Sequence, residues 1–483
     1  MKLILKKSIT IWILFFALLA SCQSQVQTSI KPNPTLKYQT IEGWGSSLCW
    51  WAHMAGQWEN ENKIDEIIDL ITSPDQLNMN IFRYNIGGGD DPAHYSTPDK
   101  PGHMAHGKGI RAEIQGFKTS ENQPYDWSAD AGQRKIMLKI KEKRPDAIFE
   151  AFSNSAPYWM TYSGCSAGND PSTADNLKPE YYEAFCDYLL DVCQFYKDSF
   201  KIEFKTLEPF NEPLTNYWGN KGGQEGCHFS VQSQIDLLRI LYPKLKATEL
   251  TTVLSASDET DIAGFIRTME AYLQTEDIPK ILGQVNTHSY SGNNTERKKA
   301  QKLAEQIGVT FWQSESGPID IPGRGITSNL GLAQRMFNDL KYLRTPAWID
   351  WQVLEVNSDA WGLLNSHKMD ENFIIMKNFY VRMQVTRFIK QGYTIIESGN
   401  DKLLCALSPD EKELVAVLLN ELKTSESVRI DLSDFKNIGD IKFFRTSLDE
   451  NCTSVSDAYA LKRKILEYNA PNQSISTFVI PLK

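Results

Sequence analysis

Residues 179–213, PEYYEAFCDYLLDVCQFYKDSFKIEFKTLEPFNEP, contain the unit from which the main fold of the chain is predicted. Apolar residues at helical spacing over 179–199 predict a long helix with proline in its first turn, where the missing N–H removes no helical hydrogen bond. A short apolar run follows and ends at Asn211 and Glu212, with Pro213 next. A helix, a buried strand and a polar strand end therefore follow one another.

The same alternation of short apolar runs and amphipathic helices extends on both sides of this unit. Eight strand candidates recur, nearly all separated by helices, at residues 42–51, 80–89, 147–157, 204–213, 251–259, 283–292, 310–318 and 347–355. Apolar strands that alternate with helices indicate parallel β-structure. Eight such units favour an α/β fold of the (β/α)8 barrel class over a doubly wound sheet.

After about Gln391 the pattern changes to short apolar runs separated by polar turns, such as GYTIIES, ELVAVLLN and STFVIPL. Helical periodicity is weak in this part of the chain. Short strands between frequent turns are typical of an antiparallel β-sandwich. We therefore predict a barrel over residues 38–390 and a C-terminal β-sandwich over residues 391–483.

Residues 1–21 have the organisation of a signal peptide, with lysines before an apolar run at 11–20 and small residues before a cleavage point. The run is short for a transmembrane helix. A plain secretory signal and a short membrane anchor are the alternatives, but Cys22 in LASC favours a bacterial lipoprotein lipidated at that residue. Residues 22–37 then predict a polar tether. Because Gln23 follows the cysteine, we expect an exported, outer-membrane lipoprotein.

Charge and composition restrict the partners. The net charge of −9 argues against nucleic acid and against anionic membrane surfaces as primary partners. We expect membrane contact through the lipid anchor only, and a monomeric protein. Tryptophan, of which the chain has twelve, packs in cores and also stacks on the C–H faces of sugars, and composition does not decide between these uses.

The cysteines do not predict a metal site, because the sequence has no CxxC and no pair at metal-ligand spacing. Cys165 and Cys227 belong to the loops after strands 3 and 4 of the predicted barrel, which are neighbours, and the exported compartment is oxidising. A disulfide between these two cysteines and a pair of separate thiols both stay open.

Two carboxylates lie at the carboxyl ends of predicted strands, where barrels of this class place their functional residues. Glu212 follows strand 4 and Glu315 follows strand 7. Glycosidic bond cleavage needs such a pair, one to protonate the leaving oxygen and one to attack or to activate water. A glutamate after a strand is more often a helix-start charge or a surface residue, and we interpret Glu150, Glu208 and Glu355 in that way.

Further strand-end side chains are candidates for substrate binding: Arg83, Asn154, Trp159, Asn211, His288, Tyr290 and Trp351. An arginine beside a carboxylate holds that carboxylate ionised, and Asn211 can bind a sugar hydroxyl while Glu212 reaches the glycosidic oxygen. We expect the Tyr290 hydroxyl to donate to Glu315. We expect His288 to belong to the scaffold of the site more than to act in catalysis.

With these residues identified, the chain resembles glycoside hydrolase family 30, and within it the endo-β-1,6-galactanases. The resemblance runs from about Tyr38 to the C-terminus and rests on motifs in the same order: GWGSSLCWWA, RYNIGGG, FEAFSNSAPYWMT, SGC, TLEPFNEP, QEGCH, ASDE, NTHSY and WQSESG. NEP alone is weakly specific, whereas the tryptophan-rich opening, NIGGG and FSNSAP are much more so.

The resemblance implies that Glu212 is the acid/base and Glu315 the nucleophile of a retaining enzyme that acts on a polysaccharide or oligosaccharide. It implies no cofactor and no metal. It also implies that a strand before the barrel, LKYQTIEG, joins the sandwich. A β-1,6-glucanase or another β-glycosidase of the family is the alternative activity. A non-catalytic surface glycan-binding lipoprotein is the alternative of another class, and the presence of both glutamates argues against it.

Overall fold

The computed structural model describes residues 28–91, 114–356, 361–367, 370–456 and 458–483. The predicted signal peptide, Cys22 and the first part of the predicted tether lie outside these residues. Among the helices that are described, none combines the length and the apolar character needed to cross a bilayer.

Two strands precede the barrel and pair with the C-terminal domain: β1 (Thr28–Ile30) and β2 (Asn33–Thr40). β1 runs parallel to residues 428–430, and β2 runs antiparallel to residues 394–397. The strand that the resemblance assigns to the sandwich is β2. The predicted tether of residues 22–37 is too long, because residues from 28 onward already supply backbone hydrogen bonds to the sandwich.

Eight parallel strands close into a barrel in which the last strand pairs with the first. They are β3 (Gly43–Ser47), β4 (Ile81–Asn85), β5 (Ile148–Phe152), β6 (Thr206–Glu208), β7 (Val253–Glu259), β8 (Leu282–His288), β9 (Thr310–Ser316) and β10 (Ala347–Asp350). Each overlaps one of the eight predicted runs. The predicted (β/α)8 barrel is confirmed.

Helices follow the barrel strands and bury one face each. They are α1 (Trp51–Ala55), α2 (Glu61–Thr72), α3 (Ala131–Lys143), α4 (Tyr182–Phe200), α5 (Val231–Lys246), α6 (Ile262–Leu273), α7 (Ile278–Ile281), α8 (Asn294–Ile307) and α9 (Ile326–Asn338). In α4 the buried Phe185, Leu189, Val192 and Tyr196 recur at the spacing of one helix face. This stripe packs α4 onto the barrel wall and fixes the strand that leads to Glu212.

The barrel interior is apolar at one end and charged at the other. Ile81, Trp312, Ala347 and Ile349 form a small buried cluster. Side chains alternate along a strand, so Arg83 points to the same side of β4 as Ile81, one layer nearer to the carboxyl ends of the strands. The charged layer therefore lies directly below the barrel mouth.

The chain leaves the barrel through a small sheet and a helix before it forms the sandwich. The sheet contains β11 (Leu354–Val356), β12 (Leu364–Ser366) and β13 (Ile374–Ile375), and the helix is α10 (Lys377–Thr386). The sandwich strands are β14 (Thr394–Glu397), β15 (Leu403–Leu407), β16 (Glu413–Asn420), β17 (Glu426–Asp431), β18 (Lys442–Thr446), β19 (Thr453–Ser454), β20 (Tyr459–Lys462), β21 (Ile465–Ala470) and β22 (Ser474–Pro481).

These strands form a seven-stranded sheet in the order β19-β18-β22-β16-β15-β14-β2 and a four-stranded sheet in the order β1-β17-β21-β20. Apart from the β1–β17 pair, the pairings are antiparallel. Leu403, Val428, Leu466 and Phe478 from both sheets share one apolar core. The predicted C-terminal antiparallel sandwich is confirmed.

Candidate active site

A cavity of about 390 Å3 opens at the carboxyl ends of the barrel strands. Its lining combines two carboxylates, an amide, aromatic rings and glycines: Asn211, Glu212, Tyr217, Trp218, Gly222, Gly223, Gln224, Tyr290, Glu315, Ile319, Trp351 and Trp361. Concave sites with a few convergent polar groups among aromatic walls are typical of ligand-binding pockets. The two glutamates singled out from sequence both lie in it.

Glu212 is held by both its backbone and its carboxylate. Its φ of 50° lies in the left-handed region that residues other than glycine seldom adopt. The Glu212 N–H donates to the Asp258 carbonyl at 2.8 Å, and its own carbonyl accepts from Trp218 Nε1 at 3.0 Å. The carboxylate accepts a hydrogen bond from the Tyr217 hydroxyl. These partners fix the strained residue, an arrangement that is concentrated at functional sites.

Glu315 reaches the cavity because β9 contains one extra residue. Thr287 pairs with Gln313, but the next residue of β8, His288, pairs with Glu315, so that Ser314 is the insertion. A bulge of this kind redirects the side chains that follow it. The Glu315 carboxylate then accepts from the Tyr290 hydroxyl at 2.9 Å and from Arg83 Nη1 at 2.8 Å.

Arg83 is the centre of the charged layer. Its side chain is fully buried, donates to Glu150 at 2.9 Å, and also pairs with Asp258 and Glu315. Burial alone lowers the pKa of the Arg83 guanidinium, but the carboxylates of Asp258, Glu315 and Glu150 raise the pKa above its ordinary value. The arginine therefore stays charged, and one of its bonds is directed at Glu315.

The two glutamates differ in their electrostatic surroundings. Burial raises the pKa of Glu212 to about 7, although the Tyr217 hydroxyl acts to lower it. Burial also raises the pKa of Glu315 above its ordinary value, and His288, Arg83 and the Tyr290 hydroxyl oppose that rise. Among the residues that the structure describes, the Arg83 cation in contact with Glu315 has no counterpart in contact with Glu212. Near neutral pH, Glu212 is the carboxyl better suited to carry a proton.

His288 lies between the two carboxylates. Its Nδ1 is 3.2 Å from Glu212 Oε1 and 3.4 Å from Glu315 Oε1. Burial lowers the pKa of the imidazole, against the raising effect of Glu315 and Asp258. A neutral ring can share one N–H between the two glutamates, which keeps their oxygens close without adding a net charge.

Within the described part of the chain, these three residues are the group whose atoms could hold a metal ion, since one ligand atom from each of Glu212, His288 and Glu315 lies within 4.8 Å of the others. The His288 contacts have hydrogen-bond lengths, and the Arg83 cation already neutralises part of the acidic charge. We assign no metal to the site, and the chemistry derived below needs none.

Asn211 and Trp351, both predicted binding residues, lie in the cavity wall. Asn211 is buried, and its Oδ1 accepts no hydrogen bond from the residues described. Trp351 packs edge-on against Trp50, with ring centroids 5.4 Å apart. The contact with Trp50 therefore holds the Trp351 ring in place in the cavity wall.

Asn154 and Trp159, also predicted binding residues, lie outside the lining of this cavity, and their role in binding stays a prediction. Asn154 is buried, and its backbone N–H donates to Asn85 at 3.0 Å. The Trp159 indole donates to the Lys118 carbonyl at 2.9 Å, and its ring meets Tyr181 edge-on. Asn154 follows β5 directly, and Trp159 lies in a short 3-10 helix, Tyr158–Met160.

Glu150, Glu208 and Glu355 are buried, which corrects their interpretation as helix-start or surface charges. Glu150 is paired with Arg83, and its Oε2 accepts from Thr206 at 2.7 Å and from Asn286 at 2.9 Å. Burial together with Asp258 and Glu150 raises the pKa of Glu208 well above its ordinary value. The prediction failed because a barrel interior this rich in polar groups cannot be inferred from single strand ends.

Cys165 and Cys227 are not joined by a disulfide in the structure. Cys165 Sγ accepts a hydrogen bond from the Ala167 N–H at 3.4 Å, and Cys227 Sγ donates to the His228 carbonyl at 3.8 Å. Both thiols are buried with local partners. Of the two alternatives left open by the sequence, the structure supports the separate thiols.

Several residues of the site were missed from sequence. Asp258 stands beside Glu259 at the end of β7, and it is distinguished by its contacts with Arg83 and Ser314 and by its carbonyl, which accepts from the Glu212 N–H. Tyr217, Trp218 and Trp361 belong to loops without helical or strand periodicity. The signal that could have found Tyr217 and Trp218 is their distance of a few residues from Glu212 in NEPLTNYWGN.

Residues 27–361, more than half of the chain, match the family model described as O-glycosyl hydrolase family 30. An endo-β-1,6-galactanase from Hypocrea rufa is 29% identical over 437 residues, which cover 87% of each chain. An exo-β-1,6-galactobiohydrolase from Bifidobacterium longum subsp. longum is 24% identical over 85% of this chain, and the match spans 35% of that longer protein.

A solved structure of a conserved exported protein from Bacteroides fragilis superimposes with a TM-score of 0.76 at 19% identity, covering 94% of this chain and 100% of that one. At this identity the likeness concerns the fold alone. It includes the barrel together with the sandwich, because it extends over almost the whole of both chains.

Proposed function

The chain belongs to O-glycosyl hydrolase family 30, and from this premise we propose that it is a retaining, endo-acting glycoside hydrolase that cleaves β-1,6-linked galactan, such as the side chains of arabinogalactan. Glu212 is the acid/base of this reaction and Glu315 is the nucleophile. The assignment to the family 30 glycoside hydrolases rests on the family match. The substrate and the stereochemistry are the proposed part.

The pair of carboxylates in one cavity is the observation that carries the proposal. One oxygen of Glu212 and one of Glu315 lie within 4.8 Å of each other. Retaining glycosidases separate their carboxyl groups by about 5–5.5 Å, whereas inverting enzymes need about 6.5–9.5 Å to seat a water molecule. The short separation supports direct attack by one carboxylate on the anomeric carbon.

In the first step a Glu315 oxygen attacks the anomeric carbon, the glycosidic C–O bond breaks, and Glu212 gives its proton to the departing oxygen. Arg83 and Tyr290 hold Glu315 in position and favour its charged form before the attack. The Glu315 charge is consumed when the glycosyl ester forms. Glu212, now ionised, then takes a proton from water, and the water oxygen replaces Glu315 at the anomeric carbon.

The proposed linkage and sugar are supported by the names of the two sequence relatives, both of which refer to β-1,6-linked galactose units. The relative that covers the same length as this chain is the endo-acting one. The separation of the carboxylates bears on the stereochemistry and not on the sugar, so that the relatives support the proposed substrate and the site supports the proposed mechanism.

The test is incubation of the purified protein with β-1,6-galactan, β-1,6-glucan and xylan, followed by chromatography of the products. The expected result is a ladder of β-1,6-galacto-oligosaccharides from galactan alone. If only a disaccharide is released from the chain ends, the enzyme acts in the exo mode and the proposed endo action is wrong. Products from glucan or xylan but none from galactan would contradict the proposed substrate.

Proton NMR of the first product is expected to show the β-anomer, and an initial α-anomer would contradict retention.

A further inference from the structure

Tyr217 differs in its exposure from three other aromatic residues of the cavity, and it is also more exposed than Trp361, which is partly buried. Its side chain is 49% exposed, whereas Trp218, Tyr290 and Trp351 are at most 6% exposed. The electron-rich face of an aromatic ring attracts the polarised C–H groups of a sugar, and this contact needs an accessible face. Tyr217 supplies such a face within the cavity.

The Tyr217 ring is held in place by its neighbours. It meets Trp218 edge-on, with ring centroids 4.6 Å apart, and its hydroxyl donates to Glu212. Trp218 is fixed by its bond to the Glu212 carbonyl, and Gly226 leaves room for the indole, because a Cβ at residue 226 would lie 2.1 Å from that ring. A ring that is already ordered loses little entropy when a ligand packs on it.

The aromatic residues divide between the two carboxylates. Tyr290 donates to Glu315, and Trp361 lies beside Tyr290 with ring centroids 6.3 Å apart. Tyr217 instead contacts Glu212. The acid protonates the glycosidic oxygen, so the sugar that departs with this oxygen must lie on the Glu212 side of the cleavage point.

We infer that the ring of Tyr217 forms the binding platform for the leaving-group sugar, the galactose unit directly beyond the cleaved bond, while its hydroxyl positions Glu212. This assignment rests on the proposed function, which supplies the roles of the two glutamates. It makes Tyr217 a specificity residue. The ring favours a sugar both as the leaving group and as the acceptor. The hydroxyl positions Glu212, and this effect does not depend on the leaving group.

The two roles are separated by Tyr217→Phe, which keeps the ring, and Tyr217→Ala, which removes both ring and hydroxyl. The substrates are β-1,6-galactotriose, whose leaving group is galactose, and the β-fluoride of β-1,6-galactobiose, whose leaving group is not a sugar. For galactotriose we expect Tyr217→Ala to have a kcat/KM about tenfold below that of Tyr217→Phe. For the fluoride the two variants should be alike.

Transfer to an added acceptor gives a second measurement, because an acceptor sugar occupies the same position as the leaving group. With the fluoride as donor and methyl β-galactoside as acceptor, Tyr217→Ala should form less transfer product relative to hydrolysis than Tyr217→Phe. Tyr162→Ala is the matched control, since Tyr162 is 57% exposed and lies outside the cavity lining. Thermal unfolding of each variant checks the fold.

Equal losses on galactotriose and on the fluoride in Tyr217→Ala, with an unchanged transfer ratio, would overturn the platform while leaving the proposed function intact. A parent protein that hydrolyses neither galactotriose nor the fluoride would contradict the proposed substrate, and with it the assignment of Tyr217 to a galactose unit. A loss in Tyr162→Ala as large as that in Tyr217→Ala would also overturn the assignment.

Discussion

Arg83 and Glu315 form a buried ion pair across the barrel interior, with 2.8 Å between Nη1 and Oε2. Their strands, β4 and β9, are not neighbours in the barrel. Arg83 also binds Glu150 and Asp258, so the positive charge of Arg83 is shared among three carboxylates. The pair positions the proposed nucleophile, and the other two carboxylates hold the arginine when Glu315 is neutralised.

This arrangement predicts that Glu315→Gln removes activity without unfolding the protein. The amide cannot attack the anomeric carbon, and loss of a nucleophile lowers kcat by a factor on the order of 10^6 in a well-studied hydrolase. Arg83 keeps two carboxylate partners, so the free energy of unfolding should change by less than about 1.5 kcal/mol. Galactan hydrolysis and urea unfolding are the measurements. Substantial turnover by a correctly folded variant would rule out Glu315 as nucleophile.

Sequence reasoning found the barrel and the two glutamates because both depend on local patterns. The strand–helix alternation is visible in each unit, and Glu212 and Glu315 stand at strand ends. It failed where long-range packing decides: Glu150 and Asp258 are recognisable only through contacts with Arg83 and with other distant residues, and Glu315 is directed inward by the extra residue in β9. The exposure that distinguishes Tyr217 could not be predicted, because the residue lies in a loop whose sequence has no helical or strand periodicity.

Glu212→Gln should lower galactan hydrolysis by roughly 10^2–10^4-fold, the contribution of a general acid. The loss should be much smaller for an activated aryl galactoside, since a good leaving group needs little protonation. Sodium azide, a nucleophile that needs no general base, should restore part of the activity and give a β-galactosyl azide. Glu315→Gln is the matched control, because azide should give no β-azide there. An equal loss on both substrates would exclude Glu212 as the acid.

The pH dependence of kcat/KM should have an alkaline limb near pH 7. Burial raises the pKa of Glu212 to about 7, and the acid must be protonated in the free enzyme, so activity is present below this pH and falls about tenfold per unit above it. The Tyr217 hydroxyl lowers the same pKa, so Tyr217→Phe should move the limb to higher pH. A limb that stays in place in Tyr217→Phe, or that persists in Glu212→Gln, would assign it to another group.

Lipidation at Cys22 is tested by Cys22→Ala in full-length protein expressed in a bacterium that processes lipoproteins. The parent protein should sediment with membranes and carry the mass of a diacylglyceryl group, whereas the variant should be recovered in the soluble exported fraction. Galactan hydrolysis by the two should agree, because the first barrel strand, β3, begins at Gly43, well after residue 22 in the sequence. Unchanged membrane association of the variant would contradict the lipid anchor.

Gly226→Ala should damage the site through Trp218, without touching either carboxylate. A Cβ at residue 226 would lie 2.1 Å from the indole, which must then shift and lose its 3.0 Å bond to the Glu212 carbonyl. Such overpacking costs about 1–3 kcal/mol of stability. Because Glu212 is held at a φ of 50°, loss of this support should also reduce kcat on galactan more than it raises KM.

Gly219→Ala provides the control in the same loop, since a Cβ at residue 219 meets no atom within 4 Å. Its unfolding free energy should stay within about 0.5 kcal/mol of the parent value, with unchanged kcat. Urea unfolding and initial rates on galactan decide between the two variants. If Gly226→Ala behaves like Gly219→Ala, the indole does not hold Glu212 in its left-handed conformation, and the acid is positioned by Tyr217 and by the Asp258 carbonyl instead.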